Sequence, residues 1–434
     1  MRHKGLYLLC FVGSLALGCG DEAAQEPGGA TCVSGACMEG ENNGEPFEEP
    51  DPMDWTSFRN GPLRTGYAQG SVVGTQVEEV WRQDDFLVLD YGAAKPSPAV
   101  WGDVLYMASD GGEVVAFDRH TGQRLWGTQL IDGGNGIHSS PALTEAQVLV
   151  GTYRGRLHAL DRETGQELWN YKIGNVIGSS PVYVPEDHAI YVSHEIPKEE
   201  PLPGGGYVTR NDPVTGEALW VSPKLEHWPH ASVAVDPARG VVAVGANDGV
   251  FHAYDTETGE ELWQRDFEPG EELDPGTADI KTTAAVSSSR GLLLFGTWDR
   301  NFYALRTESG EEAWRFSAQG IFMGSAAVDE ENGRVFIGAA GNDGHVYALD
   351  LDTGAELWRL HTGGSVLSSP ALSGDRRTVV VGSSSGALFA IDAATGQQRW
   401  RYETDGPITS SPALVGDKIY IAAKNGALYA LRSF

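Results

Sequence analysis

From about Trp55 onward, the apolar and polar positions of the chain repeat one unit. Each unit has a strand-like apolar stretch, often an Asp, a Thr-Gly or Ser-Gly turn, and a Trp four residues after the Gly. The first copy reads Val115-Ala116-Phe117-Asp118-Arg119-His120-Thr121-Gly122, then Trp126. The later Gly/Trp pairs are 165/169, 216/220, 259/263, 310/314, 354/358 and 396/400. Successive tryptophans, counted from Trp81, are 42 to 51 residues apart, which suits four short strands and their turns. Ser139-Ser140-Pro141-Ala142 opens the innermost strand of its unit and recurs as Ser368-Ser369-Pro370-Ala371 and Ser410-Ser411-Pro412-Ala413. A second strand such as Val148-Leu149-Val150-Gly151 follows, then an Asp-Gly or Asn-Gly hairpin turn, the third strand, and the Trp strand outermost.

Two incomplete units bracket the series. Val77-Glu78-Glu79-Val80-Trp81 is a Trp strand with no repeat body before it, and Ala427-Leu428-Tyr429-Ala430-Leu431 is a body with no Trp after it. Joined, they complete a unit. The expected fold is therefore all-β: an eight-bladed β-propeller of four-stranded antiparallel blades over residues 55–434, closed by the N-terminal strand joining the C-terminal blade. A side chain present in every blade serves the blade, so the repeated Asp and Trp read as structural, with the Trp wedged between neighbouring blades.

Composition agrees with this: 56 Gly and 12 Trp in 434 residues fit many tight turns with large flat side chains between strands. The formal charge of −29 disfavours nucleic acid phosphates and anionic lipid surfaces as partners. Before the repeats, Arg2, His3 and Lys4 precede an apolar run over 6–17 that is too short for a mature membrane span. Residues 1–18 are expected to be a signal peptide. Ala16-Leu17-Gly18-Cys19 resembles a bacterial lipobox, which implies that Cys19 is lipidated and tethers the mature protein. Residues 19–54 are rich in Asp and Glu, without Lys or Arg, and are expected to form a flexible acidic linker. Cys32 and Cys37 lie in that linker; in an oxidising compartment they are candidates for a small disulfide loop, a metal pair being the weaker alternative.

The Asp-x-x-Thr-Gly-x-x-x-Trp unit with Ser-Ser-Pro-Ala resembles the PQQ-like (quinoprotein-type) β-propeller repeat family. Asp54-Trp55-Thr56-Ser57-Phe58-Arg59 and Arg64-Thr65-Gly66-Tyr67 are similar to the segment that opens such propellers. The resemblance includes quinoprotein dehydrogenases and also the eight-bladed propeller lipoprotein of the outer-membrane β-barrel assembly machinery, so it implies a fold more than a function. Against the enzymes, no cysteine follows Cys37, so the adjacent cysteine pair usual beside the quinone is missing, and no compact oxygen-rich motif for Ca²⁺ appears. No cofactor is expected, with PQQ and Ca²⁺ as the alternative. Gly382-Ser383-Ser384-Ser385-Gly386 spells a hydrolase nucleophile elbow but sits where a hairpin turn belongs. No catalytic residue and no metal site are assigned.

Where the repeats disagree, a local task is indicated. Two residues before the second Ser of the inner-strand motif stand Lys95, His138, Gly178, His230, Lys281, Met323, Leu367 and Thr409, four of them cationic or titratable. This level should lie near the mouth of the central channel. The connections 82–94 and 264–279, the insertion 195–206, and Trp298-Asp299-Arg300 in place of the usual turn all fall on the same face. Lys95, His138, His230, Lys281, Trp298, Asp299 and Arg300 are the candidate binding face. Trp298 reads either as an exposed anchor or as a side chain tucked into a blade edge. The resulting expectation is an exported, lipid-anchored, monomeric, non-catalytic scaffold of the bacterial cell envelope. It would bind an envelope protein engaged in outer-membrane protein assembly; a PQQ-dependent dehydrogenase and a glycan-binding propeller are the alternatives.

Overall fold

Blade 1 is built from Ala99–Trp101, Val104–Ala108, Glu113–Asp118 and Arg124–Gln129, running outward from the axis. The computed structural model describes residues 54–84, 86, 96–131, 136–196, 204–267 and 279–434, so the expected signal peptide, Cys19, Cys32, Cys37 and Lys95 lie outside the described residues. Six further blades repeat the order over 142–172, 182–221, 234–266, 285–317, 327–361 and 371–403. The eighth takes Ala413–Val415, Lys418–Ala422 and Leu428–Ser433 from the C-terminus and its outer strand, Val77–Gln83, from the N-terminus. That strand pairs antiparallel from Val77 opposite Ser433 to Gln83 opposite Leu428, the expected ring closure. Among the described residues no helix is long and apolar enough to cross a membrane.

The strand sequences follow from position. Second strands such as Leu292–Gly296 are buried on both faces between neighbouring blades and are continuously apolar. Outer strands such as Arg124–Gln129 bury one face only and alternate. In all eight outer strands the pairing register shifts just before the Trp; in blade 2 Leu168 is the bulged residue. The bulge turns the Trp toward the next blade. There its Nε1 donates to a turn carbonyl: Trp81 to Arg119 O at 2.9 Å, Trp126 to Arg162 O at 3.1 Å, and so on to Trp400, which reaches Gly74 O at 3.2 Å. Its ring lies flat on the turn Gly. A Cβ on Gly396 would stand 2.7 Å from the Trp358 ring, and the φ of +73° there independently favours glycine. The preceding Asp fixes the turn, Thr121 N and Oγ1 both donating to Asp118 Oδ1 at 2.8 Å.

The recurrent Ser-Ser pair has two distinct jobs. The first Ser ties the inner strand to the second strand of its own blade, as in Gly151 N to Ser139 Oγ at 2.8 Å. The second ties blade to blade. Ser97 N donates to Ser140 Oγ at 2.9 Å, Ser140 N to Ser180 Oγ at 2.9 Å, and Ser180 N to Ser232 Oγ at 2.8 Å. The series continues through Thr283, Ser325, Ser369 and Ser411, whose N–H returns to Ser97 Oγ at 3.1 Å. Eight hydroxyls and eight amides thus form a closed ring around the axis.

One element is absent from the repeat pattern. Residues 54–74 cross the axis at the far end of the inner strands and visit the blades in order. Trp55 pairs with Val100; Leu143, Val235, Val286, Val328 and Leu372 donate their amides to Thr56, Pro62, Leu63, Thr65 and Gly66; Val72 N reaches Gly416 O. Tyr67–Ala68 adds a parallel fifth strand beside Ala371–Ser373. The third blade is reached by a side chain, Arg64 Nη2 donating to Ser180 O at 3.0 Å and Pro181 O at 3.2 Å. This plug closes one end of the channel and leaves the other open.

Candidate functional site at the open end of the channel

The plug and the hydroxyl ring turn the open end into a funnel, a cavity of about 380 Å³ floored by Phe58. The position two residues before the ring lies on its wall, as the repeat alignment predicts: His138, Gly178 and His230 on one arc, then Lys281, Met323, Leu367 and Thr409. The wall is therefore polar on one side and largely apolar on the other. A second tier comes from the turns between second and third strands, which place Tyr153, Trp298 and Lys424 against the same space.

Each basic position described has its own carboxylate. His138 Nε2 stands 3.1 Å from Asp110 Oδ1, His230 Nδ1 2.6 Å from Glu195 Oε1, and Lys281 Nζ 3.1 Å from Asp279 Oδ2. Each of these bases thus faces an acid: Asp110 comes from a turn of blade 1, Glu195 from the second strand of blade 3, and Asp279 from the connection two residues ahead of Lys281. Two of the bases also lie against aromatic rings of their own blades. The His138 ring is 4.1 Å from that of Tyr153, and Lys281 Nζ is 3.5 Å from the centre of the Trp298 ring. Burial, helped by the charges of Glu195 and Asp110, pushes the Tyr153 phenol up to about 12, so it stays a neutral donor.

The three residues of the unusual turn have separate fates. Trp298 is half-buried and lines the funnel, so neither the exposed anchor nor the blade-edge position describes it; Lys281 holds it against the channel wall. Asp299 is buried and accepts from Asn301 N at 2.9 Å and Tyr303 OH at 2.8 Å, which makes it a turn residue and removes it from the binding face. Arg300 is exposed, at a φ of +70°. Ser383 to Ser385 form a hairpin turn between Thr378–Gly382 and Ala387–Asp392, with Ser383 buried beside Thr362 Oγ1 at 3.0 Å.

Sequence reasoning missed Asp110, Tyr153, Glu195, Lys424 and Phe58. Tyr153 had a signal: it follows Thr152 in blade 2 as Trp298 follows Thr297 in blade 5. Asp110 sits in an Asp-Gly turn of ordinary appearance.

A larger cavity, about 700 Å³, opens at the plugged end among Pro62, Trp101, Tyr183 and Pro213. Its walls are repeat turns and plug. The funnel gathers the irregular residues and the convergent polar groups, and that makes it the candidate site. Its carboxylates are engaged by bases, and among the described residues no three His, Cys, Asp or Glu side chains group as a metal site.

The family described as outer membrane protein assembly factor BamB matches residues 69–220, 204–275 and 246–433. A BamB of Nitrosomonas eutropha is 28% identical over 138 residues, which is 32% of this chain. The match spans only 27% of that relative's length. Among solved structures, BamB from Moraxella catarrhalis superposes with a TM-score of 0.63 at 20% identity, over 82% of this chain and all (100%) of that one. A europium-containing methanol dehydrogenase gives 0.70 at 15% identity over 88% of this chain and 98% of that one. The quinohemoprotein alcohol dehydrogenase of Comamonas testosteroni gives 0.71 at 16%, over 88% and 80%. At these identities the likenesses show the fold.

Proposed function

The chain belongs to the family of outer membrane protein assembly factor BamB, and on that premise we propose that it is a non-catalytic scaffold of the cell envelope. In this reading Cys19 carries a lipid anchor, the acidic linker spaces the propeller from the membrane, and the funnel face receives another envelope protein engaged in outer-membrane assembly. One observation carries the reading: the turns at the funnel rim present large or charged side chains, Tyr153, Trp298 and Lys424 lining the cavity and Arg300 exposed in the same turn as Trp298. Irregular loops held on a rigid scaffold are where partner contacts collect. The paired state of the funnel acids and bases suits recognition, since paired groups hold fixed donors and acceptors at a rim without needing a reactive group.

The test is capture of partners from detergent-solubilised envelope by the intact lipoprotein. Trp298→Ala and Arg300→Glu are expected to lose the partner that wild type retains. Loss by substitutions at the plugged end, such as Val214→Glu, with retention by the funnel variants would place the functional face at the opposite end. The quinone-dependent dehydrogenase reading is supported by fold likeness alone and is not carried further.

A further inference from the structure

The base of the funnel holds more hydrogen-bond donors than the fold uses. Every hydroxyl of the closed ring accepts a backbone N–H from the neighbouring blade, which fixes its oxygen and leaves its own O–H to donate. Among the described residues no acceptor takes these O–H groups, and seven of the eight hydroxyl residues line the cavity. They form a circle of donors with fixed oxygens and little left to reorganise.

Beneath the ring lies positive charge. Arg59 and Arg64 of the plug are fully buried. Arg64 spends its donors on carbonyls: Nη1 on Phe58 O at 2.7 Å, Nε on Val233 O at 3.0 Å, and Nη2 on Ser180 O and Pro181 O. Arg59 Nη2 donates to Ala326 O at 2.7 Å, while its Nε and Nη1 have no hydrogen-bond partner. Neither forms an ion pair among the described residues. Apart from Phe58 O, the carbonyls they hold belong to ring residues or their immediate neighbours, so both guanidiniums sit close below the hydroxyls. Burial lowers both, to about 9 in each case, and Arg59 is further lowered by repulsion from Arg64; both remain cationic at neutral pH. Charges taken out of water without a counter-charge are costly, and an anion above the ring would offset that cost.

We propose that the base of the funnel is an oxyanion site, taking a carboxylate or phosphate group on a ligand, or a chain end, that enters through the funnel mouth. The ring hydroxyls donate to the oxyanion around the edge of Phe58, and the two guanidiniums supply the field from below; Arg64 Cζ is 5.9 Å from the centre of the Phe58 ring. Low polarity between the charges makes that field effective at this range. Lys281 and Lys424 on the wall add to it, although Asp279 offsets the first. The proposal is independent of the scaffold reading.

The experiment titrates inorganic phosphate, and separately succinate, into the full mature protein at ionic strength held constant with sodium chloride, reading heat and Tm. Saturable binding with a rise in Tm that chloride does not reproduce is expected. Met323 is 37% exposed on the apolar arc and belongs to neither ring nor plug. Met323→Glu places a competing carboxylate in the funnel and should weaken binding at least tenfold, while Met323→Gln should bind as wild type. Binding by succinate alone assigns a carboxylate ligand, and binding by phosphate alone a phosphate ligand; either supports the site. No saturable binding by either probe, or unchanged binding in Met323→Glu, overturns it. Partner capture by the rim variants is a separate readout, so the two readings fail separately.

Discussion

Lys281 holds its ammonium 3.5 Å from the centre of the Trp298 ring and 3.1 Å from Asp279 Oδ2, so one side chain fixes both an aromatic wall of the funnel and the acid beside it. The two residues are 17 positions apart, one just before the inner strand Ala285–Ser287 and the other in the turn between the second and third strands of the same blade. His138 and Tyr153 repeat the relationship in blade 2, at 4.1 Å between rings.

Trp298→Ala removes the cation–π contact and should lower stability by about 1 kcal/mol, within the range for a partly desolvated pair. Its effect on partner binding should be larger, about 2 kcal/mol or more, as for a buried aromatic at a contact centre. Arg300→Glu should weaken binding with little change in melting, while Arg300→Gly, at a φ of +70°, should raise stability by up to about 1 kcal/mol. Chemical denaturation alongside quantitative capture checks both; equal losses in stability and binding for Trp298→Ala would argue for a purely structural role.

Ser369→Ala should cost about 1–3 kcal/mol, because Ser325 N, which donates to Ser369 Oγ at 2.9 Å, is left buried without an acceptor. Ser369→Thr should recover most of the loss, since Thr283 fills the same place in blade 5. Urea denaturation of the pair distinguishes a lost hydrogen bond from lost packing, which threonine would not repair.

Trp358→Ala should destabilise by about 3–5 kcal/mol, the usual range for a buried tryptophan. Gly396→Ala attacks the same contact from the other side, with a Cβ 2.7 Å from the ring and an unfavourable φ, and should also destabilise. The two together should lose less than their sum, because either alone already breaks the contact. Full additivity in a double-mutant cycle would mean that Gly and Trp act separately.

His194 is buried against Tyr207, and neither ring nitrogen has a hydrogen-bond partner. Burial lowers its pKa from 6.5 to about 4, so the unfolded chain takes up this proton at a higher pH than the folded one. Its stabilising contribution is complete above pH 6.5 and is lost as pH falls toward 4, at no more than about 1.4 kcal/mol per pH unit. His194→Phe should flatten the stability profile in that window; a profile identical to wild type would assign the acid sensitivity to other groups, His158 among them, whose pKa burial also lowers.

Cys19→Ala should leave the propeller folded and release it from the membrane fraction. Retention on membranes after a salt wash, with lipid still attached, would contradict the anchor.

The blades were legible in the sequence because each Trp and turn Gly sits at a fixed distance within one unit, and so was ring closure, from the unmatched strand at Trp81. Periodicity also placed His138, His230 and Lys281 at the channel mouth. It could not show their acidic partners, since Asp110 pairs with His138 across a blade boundary and Glu195 begins an insertion that reads as spare loop. Nor could it show the hydroxyl ring as a ring: Ser140 and Ser180 look like copies, whereas in space one is the other's donor. The plug was least legible. Arg59 and Arg64 look like surface residues in a polar stretch, and only the convergence of several blades on one axis explains a buried guanidinium.

The plug also constrains the order of assembly. Residues 54–83 leave the ribosome before any blade is made, yet Tyr67 and Ala68 wait for Leu372 and Ser373, and Trp81 waits for Ala430. Contacts this distant along the chain are slow to form, because the long intervening loop must be ordered before they are gained. Val77–Gln83 therefore stays without its partner until Leu428–Ser433, far later in the chain, docks beside it. During that interval it is an unprotected strand able to pair with another chain, so the closing joint of the ring is also the step of folding most open to misassociation.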